Sequence, residues 1–295
     1  MTLLKEECQA PAAAPRDGED LLASTLQIRS LPLFFATLGS ENAYPVLFLH
    51  GITGSHRYWR RKAAPLARRF RLILPDLPGF GRSPKPDVRY TPEFYREALR
   101  GLLVRLGLGC GPLSIVGHSL GSIIAAEYAA RYPRGIERLV LLSTPRYLDS
   151  DLAHRIYWLG SPSYRKLLGQ DSVRENLAQA HRLGWKLTLR SFWSMPLAAV
   201  ADCRKFTLRS LTSTIEHCLL RYRIDPVLPR IEQVPVLMIH GGRDQVAPFG
   251  HIQPLPAMYR NIRLVMLRSS GHHVFLTDTR QVRRLITGFM DNGHG

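Results

Sequence analysis

A five-residue segment, Gly-His-Ser-Leu-Gly at positions 117–121, joins an apolar run to a helical stretch. The run is Leu113-Ser-Ile-Val116, and the stretch covers residues 122–131. A strand that turns sharply into a helix can hold a serine at the turn, with its Oγ projecting from the end of a sheet. Glycines two positions before and after that serine avoid a Cβ that would crowd the turn. The segment therefore predicts a strand, a turn and a helix, with Ser119 at the turn as a candidate nucleophile.

A serine hydroxyl is a weak nucleophile unless a base accepts its proton and an acid orients the base. On a sheet that carries such a turn, the acid and then the histidine follow the serine in the chain. Two later apolar runs, Val234–His240 and Ile262–Leu267, are each followed by a loop that contains glycine. Open α/β sheets place their sites in loops after strands. The first loop therefore predicts Asp244 as the acid, and the second predicts His272 as the base.

Three other residues compete for these roles. Asp149 follows the predicted strand Ile136–Leu142, but it lies several residues beyond the strand end. His273 adjoins His272, yet the residue directly after the loop glycine is the better placed of the two to reach the serine. Asp76 precedes the serine in the chain, which is the wrong order. It is interpreted as an acid that fixes its glycine-rich loop through local hydrogen bonds.

Acyl chemistry also needs two N–H donors for the oxygen that becomes charged in the transition state. One donor is predicted to be the backbone amide of Leu120, the residue after the serine. The other is predicted to be the amide of Ile52, in the loop after the predicted strand Tyr44–His50. Gly51 in that loop allows the backbone to approach closely. The two amides predict an oxyanion hole on either side of Ser119.

Several of these segments together resemble one family. The chain is similar, over residues 25–290, to alpha/beta-hydrolases of the single-domain, lid-bearing kind, in His50-Gly51, Trp59, Asp76-Leu-Pro-Gly-Phe-Gly-Arg-Ser83, Gly117–Gly121, Gly242-Arg-Asp244 and Gly271-His272. That group includes carboxylesterases, carbon–carbon bond hydrolases, epoxide hydrolases and haloalkane dehalogenases. The last two use an aspartate at the turn where this chain has Ser119. The resemblance therefore implies acyl transfer to water, and it leaves carbon–carbon bond hydrolysis open.

Apolar runs alternate with helical patterns along much of the chain, as in a mostly parallel sheet flanked by helices. Counting an opening pair of strands at Leu26–Arg29 and Leu33–Leu38, the runs predict an eight-stranded sheet. The fold class is therefore α/β, an alpha/beta-hydrolase core. The flanking helices are predicted at Thr91–Leu106, Leu120–Tyr132 and Thr279–Met290.

The alternation stops at about Pro145 and resumes after Arg230. The intervening segment has amphipathic stretches, including Arg174–Met195, and three of the four tryptophans, Trp158, Trp185 and Trp193. Its aromatic residues predict a small cap core, with a few of them lining an apolar pocket. The predicted organisation is a flexible tail at 1–22, a hydrolase core at 23–144 and 231–295, and an inserted helical cap at 145–230.

The chain is strongly basic, with 40 Lys and Arg against 23 Asp and Glu and a formal net charge of +17. A solvated, arginine-rich surface is the simplest explanation. An anionic substrate or carrier, or weak peripheral contact with an acidic membrane, are the alternatives. In the predicted cap, one helix face would carry Arg174, Arg182, Lys186 and Arg190. Nucleic acid is not an expected partner, because no binding module or aromatic-basic interleaving is present.

Several other classes of protein and site lack support in the sequence. No apolar run approaches the roughly 18 residues of a transmembrane helix, and the acidic residues near the start do not fit a secretory signal. The four cysteines show no disulfide or metal spacing, which favours reduced thiols in a cytoplasmic protein. Metal-ligand spacing is also lacking in His154, His181, His217 and His251. Neither a metal nor a cofactor is expected.

The combined expectation is a serine hydrolase that cleaves an ester, thioester or similar acyl bond of a small-molecule substrate, apolar or anionic. Two alternatives remain open. One is a carbon–carbon bond hydrolase of a diketone-type substrate. The other is a ligand-binding protein that keeps the hydrolase scaffold but turns over little, because a fold by itself does not decide function.

Overall fold

The computed structural model describes residues 25–148 and 205–291, and its strands in these residues form a single seven-stranded sheet. The spatial order is β1-β3-β2-β4-β5-β6-β7. β1 pairs antiparallel with β3, and all the other neighbouring pairs are parallel. The strands are β1 (Phe35–Leu38), β2 (Tyr44–Leu49), β3 (Phe70–Pro75), β4 (Leu113–His118), β5 (Ile136–Leu142), β6 (Val236–Gly241) and β7 (Ile262–Leu267).

The predicted class of fold is confirmed, but the predicted count of eight strands is wrong among the described residues. The error lies at Leu26–Arg29, which is helical rather than extended. The amide of Ser30 donates to the carbonyl of Leu26 at 3.0 Å, a helical i to i−4 bond. Leu26 is 59% exposed, so the apolar residue that suggested a strand does not face a core. The described chain therefore enters the sheet at β1.

The central strands are largely buried on both faces because helices cover both sides of the sheet. Alternate residues point to opposite faces, so Leu47 and Leu49 of β2 join one core cluster while Val46 and Phe48 join the other. A strand buried on both sides reads as a continuous apolar run. Such runs allowed most strands to be predicted closely, and Ile136–Leu142 lies at its predicted bounds. The edge strand Ile262–Leu267 also lies at its predicted bounds, although Arg263 and Met266 are exposed.

The three predicted flanking helices are confirmed, with ends that shift by a residue or so. Thr91 caps one of them, since its side chain accepts the amide of Phe94 at 3.3 Å and Pro92 begins the helix. The helices are α1 (Arg57–Ala63), α2 (Pro92–Arg105), α3 (Leu120–Arg131), α4 (Leu208–Thr214), α5 (Phe249–Ile252), α6 (Leu255–Met258), α7 (Val274–Thr277) and α8 (Thr279–Asp291). Shorter elements are 3₁₀ helices at Ala64–Arg68 and Leu228–Ile231 and a π-helix at Ile215–Leu220, which continues α4. Within the described residues, no helix is long and apolar enough to cross a bilayer.

Much of the predicted domain organisation falls on residues that are not described. The tail at 1–22, the rival acid Asp149 and the basic face formed by Arg174, Arg182, Lys186 and Arg190 lie outside the described residues. The described end of the predicted cap, residues 205–230, contributes Cys218, Ile224, Val227 and Leu228 to the larger core cluster. Residues 205–230 therefore pack against the core.

Parallel pairing places the loops that carry the predicted site residues at one edge of the sheet. Ser119 follows β4, Asp244 lies beyond β6, and His272 lies beyond β7. The loops after β2 and β3 open at the same edge, because those strands run parallel to β4. The order of strands thus brings together segments that are far apart in the sequence.

Two helical glycines give a matched test of this packing. A Cβ on Gly101 in α2 would lie 1.9 Å from the carbonyl oxygen of Arg29, whereas a Cβ on Gly288 in α8 would meet nothing within 4 Å. We expect Gly101→Ala to lower the free energy of unfolding by about 1–3 kcal/mol through overpacking. Gly288→Ala should raise it by up to about 1 kcal/mol, since alanine favours helix. Urea unfolding measures both, and equal effects would contradict the contact with Arg29.

Candidate active site

Ser119 lies in a strained turn between β4 and α3. Its φ is 52° and its ψ is −117°, a conformation that non-glycine residues rarely adopt. Its amide donates to the carbonyl of Leu142 on β5 at 2.9 Å, which holds the turn against the sheet. A Cβ on Gly121 would lie 2.2 Å from the carbonyl oxygen of Leu49, and one on Gly117 would lie 2.3 Å from that of Gly121. The turn therefore requires glycine at both positions, as the sequence predicts.

The three residues predicted as nucleophile, base and acid lie in hydrogen-bond contact. Nε2 of His272 is 3.0 Å from Oγ of Ser119. Nδ1 of the same ring is 2.9 Å from Oδ2 of Asp244. Ser119 is 3% exposed, and the side chain of Asp244 is fully buried, while that of His272 is 15% exposed. One imidazole thus bridges a buried carboxylate and a serine hydroxyl at the edge of the sheet.

Backbone donors fix the carboxylate of Asp244. Its Oδ1 accepts the amides of Val246 and Ala247, both at 2.9 Å, which leaves Oδ2 for His272. Burial by itself raises the pKa of Asp244, but the charge and hydrogen bond of His272 and the amide of Ala247 together lower it. The group is therefore an acceptor near neutral pH. We assign the proton of His272 to Nδ1 on this contact, so that Nε2 presents a lone pair to Ser119.

Close backbone approach brings the loop of His272 to the loop of Asp244. A Cβ on Gly241 would lie 2.3 Å from the carbonyl oxygen of Gly271, so a larger residue would separate the two loops. The amide of Arg243 donates to the carbonyl of Ser270 at 2.9 Å and joins them directly. The separation between acid and base is thus set by backbone, which is stiffer than a side chain.

A group of neutral, buried rings packs next to His272. Nε2 of His118 donates to the backbone carbonyl of His272 at 2.9 Å, and the His118 ring stacks on Tyr58 with centroids 4.9 Å apart. Burial, and then the neighbouring His272, hold the pKa of His118 well below its usual range. The rival base His273 contacts the same two rings at 5.3 and 5.9 Å and lies 3.5 Å from the Tyr58 hydroxyl. Burial, followed by the neighbouring His272, lowers its pKa to about 3.

The loop after β2 is oriented by His50. Nε2 of this fully buried ring accepts the amide of Leu77 at 2.9 Å, so Nδ1 carries the proton and donates to the carbonyl of Gly51 at 2.7 Å. The amide of Gly54 donates to that carbonyl as well, at 3.0 Å. In a trans peptide the carbonyl and the following N–H point in opposite directions. The amide of Ile52 is thereby turned away from His50.

Asp76 serves the glycine-rich loop, as its place in the sequence suggests. Its Oδ1 accepts Nδ1 of His56 at 2.8 Å, and its Oδ2 accepts the amide of Arg82 at 2.8 Å. A Cβ on Gly81 would lie 2.3 Å from Oδ2, so the loop folds tightly over the carboxylate. Burial by itself raises the pKa of Asp76, but the hydrogen bond from His56 and the other donors lower it overall.

Sequence reasoning gave no role to three histidines at strand ends: His50, His118 and His240. All three are at most 2% exposed, and each contacts a backbone group of a site loop. His240 donates from Nε2 to the carbonyl of Ala247, beside Asp244. The sequence could have indicated such contacts, because a histidine at the end of an apolar strand must find a polar partner once it is buried. In residues 25–148 and 205–291, no cluster of His, Cys, Asp or Glu is arranged to hold a metal ion.

The low pKa of Asp76 predicts how stability depends on pH. A carboxyl whose pKa is lower in the folded chain stabilises the fold above its unfolded pKa, and the contribution is lost as the pH falls through the folded pKa. Asp76→Asn should cost about 2 kcal/mol or more in urea unfolding at pH 7, because charge-assisted hydrogen bonds are lost. The difference from the parent protein should shrink below about pH 4. Asp87→Asn, at a 91% exposed side chain, is the control, and a difference independent of pH would contradict the assignment.

Comparison with known proteins identifies the family. A family model for the alpha/beta hydrolase fold matches residues 44–279. An uncharacterised protein of Mycobacterium tuberculosis (strain ATCC 25618 / H37Rv) is 29% identical, covering 94% of this chain and 84% of its own. The pimeloyl-(acyl-carrier protein) methyl ester esterase of Chromobacterium violaceum is 28% identical, covering 88% of this chain and 98% of its own. A solved structure of a thermophilic esterase from Thermogutta terrifontis has a TM-score of 0.72 at 22% identity, covering 89% of this chain and 94% of its own. The chain therefore belongs to the alpha/beta hydrolase fold family, a family of hydrolytic enzymes.

Proposed function

We propose that this chain is a serine hydrolase that cleaves an ester, thioester or similar acyl bond through an acyl-enzyme on Ser119. The observation that carries the proposal is the continuous hydrogen-bond path from Asp244 through His272 to Ser119, with steps of 2.9 and 3.0 Å. Such a path activates a serine for attack on a carbonyl carbon. The methyl ester esterase of Chromobacterium violaceum, 28% identical to this chain, supports the same bond class.

In the first half of the reaction, Oγ of Ser119 forms a bond to the carbonyl carbon while its proton passes to Nε2 of His272. The electron pair of the carbonyl moves to its oxygen, which becomes an oxyanion. When the oxyanion collapses, the bond to the leaving group breaks, and the leaving group takes the proton from His272. Asp244 stabilises the imidazolium that exists between these two transfers, because its low pKa keeps it ionised.

The oxyanion is stabilised by the backbone amides of Ile52 and Leu120. Leu120 is the first residue of α3, and the first turn of a helix leaves its N–H groups without intrahelical acceptors. The amide of Ile52 is preorganised because His50 and Gly54 hold the opposite end of the peptide, the carbonyl of Gly51. Donors that need no reorganisation are the effective ones in the transition state.

In the second half, water replaces the leaving group. His272 takes a proton from water as its oxygen attacks the acyl carbon, and the same ring returns that proton to Oγ of Ser119 when the acyl–serine bond breaks. The products are a carboxylic acid and the free enzyme. The proton that the leaving group removes is thus replaced by one from water.

We assign the choice of acyl group to the predicted cap at 145–230, together with the described elements that border the site. Leu211, Ile215 and Leu219 of α4 and the π-helix cluster with Ile123 of α3, and the partly buried Ile52 packs against that cluster. Apolar side chains thus stand beside the proposed oxyanion donor. We infer that these apolar surroundings favour an apolar acyl chain over a strongly hydrated one.

Removal of the nucleophile is the first test of the proposal. Ser119→Ala should lower kcat for a nitrophenyl ester by about 10⁴-fold or more, because the three groups act as a unit. The parent protein should show a burst followed by turnover, and a fluorophosphonate should label the peptide that contains Ser119. Ser269→Ala, an exposed serine in the loop before His272, is the control. Labelling and turnover that persist in Ser119→Ala would refute the proposal.

The acid and the base are tested separately. His272→Ala should lower kcat nearly as much as loss of the serine. Asp244→Asn should cost less but still a large factor, because an amide in place of Oδ2 favours the wrong imidazole tautomer. Steady-state kinetics with the same ester measures both variants. A larger loss in Asp149→Asn than in Asp244→Asn would move the acid to the segment after β5.

The oxyanion loop is tested at Gly51, where a Cβ would lie 3.0 Å from Nδ1 of His118 and 3.3 Å from Cβ of Ser119. Gly51→Val should displace the amide of Ile52, and loss of one oxyanion donor typically lowers kcat by about 10²–10³-fold. The melting temperature should change much less. Gly111→Val is the matched control, since a Cβ there meets nothing within 4 Å. A folded Gly51→Val protein with unchanged kcat would remove this loop from the site.

A further inference from the structure

A cavity of about 250 Å³ lies between the segment that precedes α2 and the helix formed by α4 and the π-helix. Three arginines line it. Arg89 lies in the segment before α2, Arg209 lies in α4, and Arg221 directly follows the π-helix. Thr212, Ser213 and His217 add polar groups to the wall, and Glu216 adds one carboxylate. Residues 120 positions apart in the sequence thus place three guanidinium groups around one small space.

The cavity and the Ser119 site lie on opposite faces of this helix. Leu211 and Ile215, four residues apart, pack with Ile123 on the side of the proposed active site. Arg209 and Ser213 are also four residues apart but fall about half a turn away on a helix of this geometry. The helix therefore separates an apolar wall of the site from a polar, cationic cavity.

Positive charge in the cavity exceeds what nearby acids neutralise. Arg221 pairs with Glu216 at 2.8 Å, and Arg209 lies 3.5 Å from Asp87, whose side chain is 91% exposed. Among the described residues, Arg89 makes no hydrogen bond or ion pair. At least one guanidinium and part of a second are thus available to a ligand.

The fields of the three arginines converge inside the cavity. Burial lowers the pKa of His217, and Arg89, Arg221 and Arg209 each lower it further, against the opposing effect of Glu216. The arginine contributions, unlike burial, disfavour a cation and favour an anion at this position.

Hydrogen bonds to the segment before α2 hold the cavity wall in place. The amide of Tyr90 donates to Oγ of Ser213 at 2.9 Å, and Nε of Arg209 donates to the carbonyl of Val88 at 3.2 Å. These bonds join the backbone next to Arg89 to the helix that carries the other two arginines. A binding site whose walls are already fixed loses less entropy when a ligand binds.

We propose that this cavity binds a phosphate monoester group, at a site separate from Ser119. One carboxylate is satisfied by a single guanidinium fork. Arg89, with the part of Arg209 that Asp87 leaves free, can instead contact several oxygens, and Arg221 adds its charge nearby, which fits a group with a charge near −2 and three acceptor oxygens. The cavity of about 250 Å³ admits such a group with a short organic substituent.

Calorimetric titration with glycerol 3-phosphate tests the proposal on the full chain, with glycerol as the uncharged comparison and ionic strength held constant. Saturable binding is expected with glycerol 3-phosphate and not with glycerol. Arg89→Gln should weaken it about tenfold or more, as expected for loss of a charge-assisted hydrogen bond. Arg61→Gln, which makes the same charge change at an exposed position outside the cavity, should leave it unchanged. Ser119→Ala should also bind unchanged, so this result does not depend on the acyl chemistry.

A second variant guards against an effect on folding. Arg89→Lys keeps the charge but loses the planar fork, so binding should weaken while the melting temperature stays at the parent value. Absence of saturable binding in the parent protein, or equal affinity in Arg89→Gln and Arg61→Gln, would overturn the proposal.

Sedimentation with vesicles of phosphatidic acid distinguishes the source of the phosphate group. Vesicle binding that Arg89→Gln abolishes would assign the phosphate to a lipid headgroup, and glycerol 3-phosphate binding without it would assign a soluble ligand.

Discussion

The contact of Gly121 with the end of β2 sets the geometry of this site. With no side chain at that position, α3 begins directly against the carbonyl of Leu49, closer than any other residue would permit. Ser119 is thereby held beside the loop that follows β2, where Gly51 and Ile52 lie. Parallel pairing of β4 with β5, of β5 with β6 and of β6 with β7 then places the later loops along the same edge. The turn of the candidate nucleophile, the loop proposed to bind the oxyanion and the loop of His272 thus meet, because this contact fixes where the helix starts and the strand pairing aligns the later loops.

Burial divides the ionisable groups of this edge into charged and neutral ones. Asp244 and Asp76 stay ionised because several donors surround each carboxylate, although burial alone would favour the neutral acid. The neighbouring rings of His118 and His273 have too few compensating partners, and their pKa values fall instead. Because these two rings are neutral, Asp244 is the charged group that contacts His272. In a proton transfer through His272, the imidazolium would form next to one fixed negative charge without further positive charges opposing it.

Local patterns could predict the positions of Ser119, Asp244 and His272, because each follows an apolar run that forms a strand of the sheet. The same logic failed at Leu26–Arg29, where two apolar residues in alternation belong to a helical turn that leaves Leu26 exposed. Propensity over four residues is too weak to distinguish the two states. The partners of His50 and His118 could not be predicted, since they depend on loops that meet only after the strands pair. Long-range contacts of this kind carry no local periodicity.

The helix at 208–220 connects features that the sequence presents separately. Ser210 donates from Oγ to the carbonyl of Gly79 at 2.9 Å, in the glycine-rich loop that Asp76 organises. Three residues further, Ser213 accepts the amide of Tyr90, next to Arg89 of the cationic cavity. The apolar face of the same helix packs against Ile123 of α3, the helix that begins after the Ser119 turn. A displacement of this helix would therefore change the glycine-rich loop, the cavity and the wall of the candidate active site together, because hydrogen bonds and packing join it to all three. The π-helix at Ile215–Leu220, which continues α4, begins two residues after Ser213, and irregular turns of this kind are often found near functional sites.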